Sequence, residues 1–411
     1  MAQLPLPFPL IGAINNLNPV ALNCSPSFAK NDFNSVIEFL KQYDGNQATF
    51  DAYRREIERL LQWSWLIAKK SILELTRQNM QEYIAFCLDP PLSWIGKIRC
   101  HRFIDRGGLR QANPRWRPFV ATVSKQDYKA GKKPAKNKYH LSQKSIQEIF
   151  TVLSSFYNFL LLDEKVSSNP IALIRQKSRY IQKHQTKMPV KRLTDTQWQC
   201  CLKTAEQLAE DNKDHERTLF IITALYMLYL RISELAASDR WIPQMKHFYQ
   251  DSNQNWWFKT LGKGNKTREI AVSDDMLASL KRYRERMKMT PLPSPSDSRP
   301  LLSKEKGKGA ITSTRHIRKL VQYCFDKTVE QLRKDNLVNE ANNLELVTVH
   351  WLRHTGISDD INKRSRPIAH VRDDAGHSSS AITDRYNDIE LLQRHQSAKN
   401  KKLKNKVTNE N

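Results

Sequence analysis

The chain has six cysteines, Cys24, Cys87, Cys100, Cys200, Cys201 and Cys324, and no two of them form a Cys-x-x-Cys pair. Neither a zinc ribbon nor a disulfide framework is supported, and a reducing cytosolic compartment fits this usage. Long apolar runs are missing too. The longest, Leu219 to Leu230, has twelve residues and runs into Arg231, a length that belongs to a buried helix and not to a membrane span. The N-terminus, Met1 to Leu10, is apolar but has no basic start and is broken by Pro5, Pro7 and Pro9, which excludes a secretory leader. Acidic residues are in deficit: 42 Asp and Glu stand against 67 Lys and Arg, a formal charge of +25. Such an excess favours a polyanionic partner. Nucleic acid fits better than a membrane, because neither end carries a lipidation signal or a strongly amphipathic basic helix.

At 411 residues the sequence suggests two domains and a tail. Residues 1–27 carry Pro, Asn and Ser without periodicity and are expected to be a flexible arm. Residues 28–178 form the first domain. Phe50, Tyr53, Ile57, Leu60 and Leu61 recur at helical spacing, a second helix lies around Met80 to Cys87, and Ile146, Ile149, Leu153, Phe156 and Leu160 mark a third. Within this domain lies a basic insertion, 91–141. Residues 97–138 hold thirteen Lys and Arg but only Asp105 and Asp127 as acids. Arg115, Arg117, Lys125, Lys129, Lys132 and Lys133 are its candidates for neutralising phosphates. A polar linker at 179–191 leads to a second domain, 192–395, and a basic tail, 396–411. In the second domain Thr194 to Gln197 has the form of a helix start. Trp256–Thr260 and Arg268–Val272 are strand candidates around Gly262-Lys263-Gly264-Asn265, and Thr314–Phe325 is a helix with Arg315, Arg318 and Lys319 on a basic face.

The chemistry concentrates in the second domain. Cutting a phosphodiester without a metal requires fixed positive charge on the non-bridging oxygens, and arginine supplies it bidentately. Arg231 and Arg353 are the candidates. Arg231 is read as ending a buried helix, where it needs a partner, and Glu234 one turn on can orient it. His350 and Arg353 share a helix face at i, i+3, and His350 can take a proton from an attacking hydroxyl. His354, at i+4 from His350, imitates a metal pair, but Trp-Leu-Arg between them lacks the Glu of a zinc peptidase helix. Gly376-His377-Ser378-Ser379 is read as a turn into a helix start whose N–H groups and imidazole face a phosphate. Tyr386 follows nine residues after His377 and is the candidate nucleophile. Lys263 sits at a glycine-flanked hairpin tip, from which an ammonium can protonate a leaving oxygen. The segment Gly262 to Thr267 lacks the spacing of an ATP-binding loop.

Together Leu230-Arg231-Ile-Ser-Glu234-Leu, the Gly-Lys263-Gly hairpin, His350-Trp-Leu-Arg353-His354 and Gly376-His377-Ser-Ser with Tyr386 resemble the tyrosine recombinases, the phage integrase family. The resemblance implies a mainly α fold with a small β-sheet. Its two domains would be a helical core-binding domain and a mixed α/β catalytic domain that close as a C-shaped clamp on DNA. It implies an enzyme in which Arg231 and Arg353 hold the scissile phosphate, His377 assists, His350 acts as base and Lys263 as general acid. Tyr386 would form a 3′-phosphotyrosyl bond on the way to a Holliday junction. No cofactor and no metal are implied. The implied partners are double-stranded DNA recombination sites, three further protomers in a homotetramer on two sites, and an accessory directionality factor. No membrane partner is implied, and the compartment is cytoplasmic, at the nucleoid. Integration or excision of a mobile element is the expected role. The alternatives are a Xer-like resolvase, a type IB topoisomerase-like enzyme and an inactive architectural DNA-binding protein. Two departures stand out: the family's usual Thr-Gly before the first arginine is Leu228-Tyr229 here, and Ala375 replaces its usual leucine.

Overall fold

The computed structural model describes residues 4–13, 26–172, 174, 180, 191–262, 264–386, 395, 398 and 399. The chain divides into two compact units, Met1–Thr186 and Lys187–Asn411. Lys263, nearly all of the linker and the tail beyond Lys399 lie outside the described residues, as do residues 387–394.

In the first unit the helices α1 (Ala29–Lys41), α2 (Gln47–Trp63), α3 (Arg77–Leu88) and α5 (Gln143–Leu162) enclose one core. Their starts are set locally. The Asn46 side chain accepts from Thr49 N–H, Thr76 and Asn79 form a capping box, and Ser142 accepts from Ser145 N–H. α5 is long and apolar enough by composition to cross a membrane. Its Ile146, Phe150, Leu153, Phe156 and Leu160 are instead buried in the core of the unit, each contributing about 1.5–3 kcal/mol through removal from water.

The basic insertion is ordered as small elements. Ile95–Gly96 (β1) pairs in parallel with Phe119–Val120 (β4), and Phe103–Arg106 (β2) pairs with Leu109–Ala112 (β3) across Gly107-Gly108, both at positive φ. A short helix, α4 (Lys125–Lys129), is capped by Ser124.

The expected flexible arm is corrected for residues 4–13. Leu10 and Ile11 are fully buried, and Trp94 donates its indole N–H to the Pro5 carbonyl at 3.1 Å. The buried Glu58 carboxylate of α2 accepts the backbone N–H groups of Leu10 and Ile11, the latter at 3.0 Å, and pairs with Arg102 of the insertion. Arg102 in turn donates to the Ile11 carbonyl at 3.2 Å. Proline spacing hid this contact, because prolines signal a non-helical path and not whether that path is packed.

The second unit is built around α7 (Glu216–Met227), which packs against α6 (Asp195–Asp211), α9 (Asp274–Arg286), α10 (Thr314–Lys334) and α12 (His350–Asn362). The Thr194–Gln197 capping box starts α6. The approach of α12 to α7 depends on Gly356, where a Cβ would lie 2.0 Å from the Tyr226 carbonyl oxygen. A three-stranded antiparallel sheet runs β5 (Phe248–Gln250), β6 (Trp256–Leu261), β7 (Thr267–Ala271), with Phe258 opposite both Phe248 and Ile270. Sequence patterning does not mark β5, since three residues are too few for an alternation.

Glu58→Ala is expected to lower the unfolding free energy by about 3–5 kcal/mol, because it strands the Arg102 charge and two backbone donors. Urea denaturation of the full chain measures this. A loss below about 1 kcal/mol would show that the arm and the insertion are not held through this carboxylate.

Candidate active site

α7 ends earlier than the apolar run suggests. Leu228 caps it, Tyr229 turns the chain with φ at +49°, and Arg231 enters the short helix α8 (Ile232–Leu235) in an extended conformation. Arg231 therefore lies between two helices and does not end a buried one. Glu234, nearly fully buried, receives it twice: Oε2 accepts the Arg231 backbone N–H at 2.8 Å and Oε1 accepts Nη1 at 3.0 Å.

The same carboxylate takes Arg268 of β7 in a two-point fork, with both N–O distances 2.8 Å. Burial pushes the Glu234 carboxyl up, but Arg268 and then Arg231 more than offset this, so it titrates below its ordinary range. The sequence reading treats Arg268 only as the start of a strand. Two glycines that lie near it in space make room for it. A Cβ at Gly262 would lie 3.1 Å from its Nη1, and one at Gly376 would lie 2.9 Å from its Cδ.

Arg353 lies on α12 with 2% exposure. It donates Nη1 to the Tyr229 carbonyl and Nη2 to the Ala375 carbonyl at 2.7 Å. Burial, then the charges of Arg231 and Arg268, act against its own charge. Two guanidiniums thus meet on the carboxylate of Glu234, and Arg353 lies close enough to feel the charge of both and of Glu234.

α13 (Ile368–Ala375) closes at Gly376 with φ at +62°, and the His377 N–H donates to the Arg372 carbonyl at 3.1 Å. His377 therefore leaves a helix C-terminus, which corrects the expected helix start: its backbone amide is already committed. Its Nδ1 pairs with Thr383 Oγ1 at 2.9 Å, and its ring lies parallel to that of Tyr386 with centroids 5.9 Å apart. Burial, followed by Arg353, Arg231 and Arg268, pushes His377 down to about 4.

Tyr386 follows α14 (Ser380–Thr383) and is 4% exposed, against Tyr229, Ile357, Val371 and Ala375. Asn362 Nδ2 donates to its carbonyl at 2.8 Å, and its phenol shares a hydrogen bond with His354 Nδ1. His350, the first residue of α12, packs edge-on to His354 with ring centroids 4.2 Å apart. Burial lowers His350, with Arg353 and Arg231 adding to it. His354 is pushed down to about 3 by burial, then by His350, Arg353 and His377. At neutral pH these imidazoles are uncharged and offer lone pairs and N–H groups to the site.

The structure therefore brings Arg231, Glu234, His350, Arg353, His377 and Tyr386 into one connected set of contacts and adds Arg268 and His354. The remaining candidates lie elsewhere. Arg315, Arg318 and Lys319 are exposed on α10. In the first unit Arg115 and Lys133 are exposed, Lys125 is partly buried, and Lys132 pairs with Asp127 at 2.7 Å. The Lys129 side chain is outside the described residues. Arg117 is committed to the carbonyls of Ser93, Pro114 and Trp116 at 2.6–2.8 Å. It also lines a cleft of about 500 Å³ together with Arg54, Arg55, Arg59, Arg99 and Arg102, six arginines in all, with Asp51, Glu56 and Glu148. The helical arginines of that cleft escaped sequence reading because α2 balances them locally with acids.

Residues 191–391 match the model of the phage integrase family. Tyrosine recombinase XerD of Staphylococcus saprophyticus subsp. saprophyticus is 25% identical over 254 residues, 61% of this chain and 74% of that protein. Tyrosine recombinase XerC of Chlorobaculum parvum is 22% identical over 259 residues, 61% and 70% of the two chains. Among solved structures, XerH site-specific recombinase bound to palindromic difH substrate, in a post-cleavage complex, shares the fold. Its TM-score is 0.53 at 13% identity, over 90% of this chain and 88% of that one. Tn1549 transposon integrase in complex with transposon right end DNA gives 0.50 at 14% identity, over 89% and 97%.

The depressed histidines fix the sign of a pH effect. An unfolded imidazole titrates near 6.5. In the folded chain His377 titrates at about 4 and His354 at about 3. The unfolded state therefore binds more protons between these limits, and the stability these groups provide is complete above about pH 6.5 and drains away as pH falls. Denaturation midpoints should drop from pH 7.5 to pH 5, with a shallower slope in His377→Gln. A flat profile would contradict the burial of these rings.

Proposed function

The chain belongs to the phage integrase family of tyrosine recombinases, and on that premise we propose that it cuts and rejoins DNA at specific sites through a phosphotyrosyl bond on Tyr386. The observation that carries this reading is the surplus of guanidinium over carboxylate around Glu234, within reach of a buried phenol that is itself hydrogen-bonded to an imidazole.

Arg231 and Arg353 hold the non-bridging oxygens of the scissile phosphate. Arg231 is about a third exposed, while Arg353 is aimed by two carbonyls that orient it without cancelling its charge. Such preorganised charge serves the pentavalent transition state, where negative charge on those oxygens is greatest. His377 adds an N–H donor beside the arginines; the resemblance gives His350 as the base, and its ring packs on His354, whose Nδ1 meets the phenol. Tyr386 Oη attacks phosphorus and the 5′ oxygen departs with a proton from Lys263. The freed 5′-hydroxyl then attacks the phosphotyrosine of the partner strand, giving a Holliday junction. The phosphotyrosyl bond keeps the energy of the phosphodiester, so neither ATP nor a metal enters the scheme.

Four protomers act on two double-stranded sites, with an accessory factor setting direction. The reaction takes place at the nucleoid in the cytoplasm. The arginine cleft, Arg115 and Lys133 of the first unit contact phosphates, as do Arg315, Arg318 and Lys319 of α10. The insertion at 91–141 favours integration or excision of a mobile element. The similarity to XerD and XerC carries a second reading, a Xer-like resolvase. Recombination assays on plasmids with paired sites decide between these. A type IB topoisomerase would relax a single supercoiled plasmid without joining sites, and an architectural protein would bind without cutting.

On a nicked duplex that traps the intermediate, the wild-type chain is expected to form a covalent adduct and Tyr386→Phe to form none. Arg353→Ala should cleave about 10²–10³-fold more slowly, as for loss of one oxyanion donor. An adduct in Tyr386→Phe would remove Tyr386 as nucleophile. Replacing Arg115 and Lys133 by Gln should make the slope of log affinity against log salt shallower by about 0.9 for each phosphate no longer neutralised. An unchanged slope would take these residues off the DNA.

A further inference from the structure

Three imidazoles surround Tyr386 in unit 2, and their geometry separates them. His377 presents the face of its ring to the phenol and uses Nδ1 on Thr383, so it is not aligned to take the phenolic proton. His350 meets the edge of His354 at the open end of α12. His354 points a ring nitrogen, Nδ1, at Tyr386 Oη.

We propose that His354 is a catalytic residue, the base that receives the phenolic proton as Tyr386 attacks phosphorus and the acid that returns it on religation. The inference rests on the phosphotyrosyl reading above. In the cleavage step the Oη–H bond breaks and the proton passes to the Nδ1 lone pair. The Oη electron pair forms the Oη–P bond, the P–O5′ bond breaks, and O5′ takes its proton from the general acid, Lys263. In the reverse step the incoming 5′-hydroxyl attacks phosphorus and gives its proton back to Lys263, and the His354 imidazolium returns the other proton to Tyr386 Oη. Atoms and charges balance with no further reactant.

The surroundings of His354 suit both directions. Burial, then His350 and Arg353, keep the ring neutral in the free enzyme, and in the tautomer with the proton on Nε2 the Nδ1 lone pair accepts from the phenol before DNA arrives. A phosphate held by Arg231 and Arg353 brings negative charge next to those same cations. It offsets the repulsion that disfavours an imidazolium and raises the basicity of His354 at the step that needs it. His350, edge-on behind it, is placed to share the resulting charge.

A merely structural His354, present to satisfy a buried phenol, makes different predictions. The experiment compares wild type, His354→Ala, His354→Gln and Lys263→Ala on two trapping substrates, one ordinary and one with sulfur at the bridging 5′ position. A thiolate leaves without a proton, so sulfur bypasses the general acid and not the base. Both His354 variants are expected to cleave about 10²–10⁴-fold more slowly on either substrate, the range of general base catalysis. Sulfur should restore Lys263→Ala, and added imidazole should accelerate His354→Ala. Glutamine can keep a hydrogen bond to the phenol but cannot take up its proton, so this variant covers a folding defect in the alanine one. His354→Gln cleaving within about threefold of wild type, less than general base catalysis contributes, or rescue of the His354 variants by sulfur, would overturn the assignment. The absence of any adduct from the wild-type chain would instead refute the phosphotyrosyl reading itself.

Discussion

Glu234 is the carboxylate that holds Arg231 and Arg268 together in the candidate site, and its four accepted hydrogen bonds join the α7–α8 turn to strand β7. A buried guanidinium without an anion costs several kcal/mol, so Arg231 and Arg268 could not both occupy this place without it. Yet Glu234 neutralises only part of the charge. Arg353 is held by the carbonyls of Tyr229 and Ala375, dipoles that fix its direction and leave its charge whole. The result is a site with fixed geometry and a net positive charge suited to an anion. Burial first, and neighbouring positive charge after it, lowers the titration of all three histidines.

What is legible in the sequence follows the range of the interactions. Helix α5 can be read because its apolar residues recur within one helix, and the start of α6 because Thr194 and Gln197 form a capping box three residues apart. Arg231 with Glu234, and His350 with Arg353, are i, i+3 relations visible along the chain. The roles of Arg268 and His354 are not visible there. Arg268 meets Glu234 across 34 residues, and His354 meets Tyr386 across 32. Nothing local distinguishes such an arginine from a solvated strand residue, or such a histidine from half of a metal pair. The same limit hides the burial of Leu10 and Ile11, whose partner Glu58 lies 47 or more residues away. Gly376 is ambiguous for another reason: a glycine in a turn fits the end of one helix as well as the start of another, and only its positive φ tells which.

Tyr229 shows how the two walls of the site are held at a fixed separation. The family's usual residue here is glycine, which adopts positive φ freely, whereas a tyrosine at +49° carries a steric cost of about 1–2 kcal/mol. The side chain offsets that cost. Its hydroxyl donates to Asp360 and accepts from Arg366 at 3.0 Å, and Arg366 bridges Asp360 to Asp374, with 2.8 Å to each. The Asp374 carbonyl takes Arg268 at 2.9 Å, the next carbonyl takes Arg353, and Arg353 returns to the carbonyl of Tyr229. The contacts form a closed loop that passes through the α7–α8 turn, the end of α12 and the end of α13. Hydrogen bonds to charged groups contribute about 1.5–3 kcal/mol each, so even one of them covers the strain. A glycine would leave the Arg353 side of the loop resting on backbone alone. With tyrosine, moving either arginine requires breaking the ring of contacts, and that ring also forms part of the pocket in which the Tyr386 phenol waits.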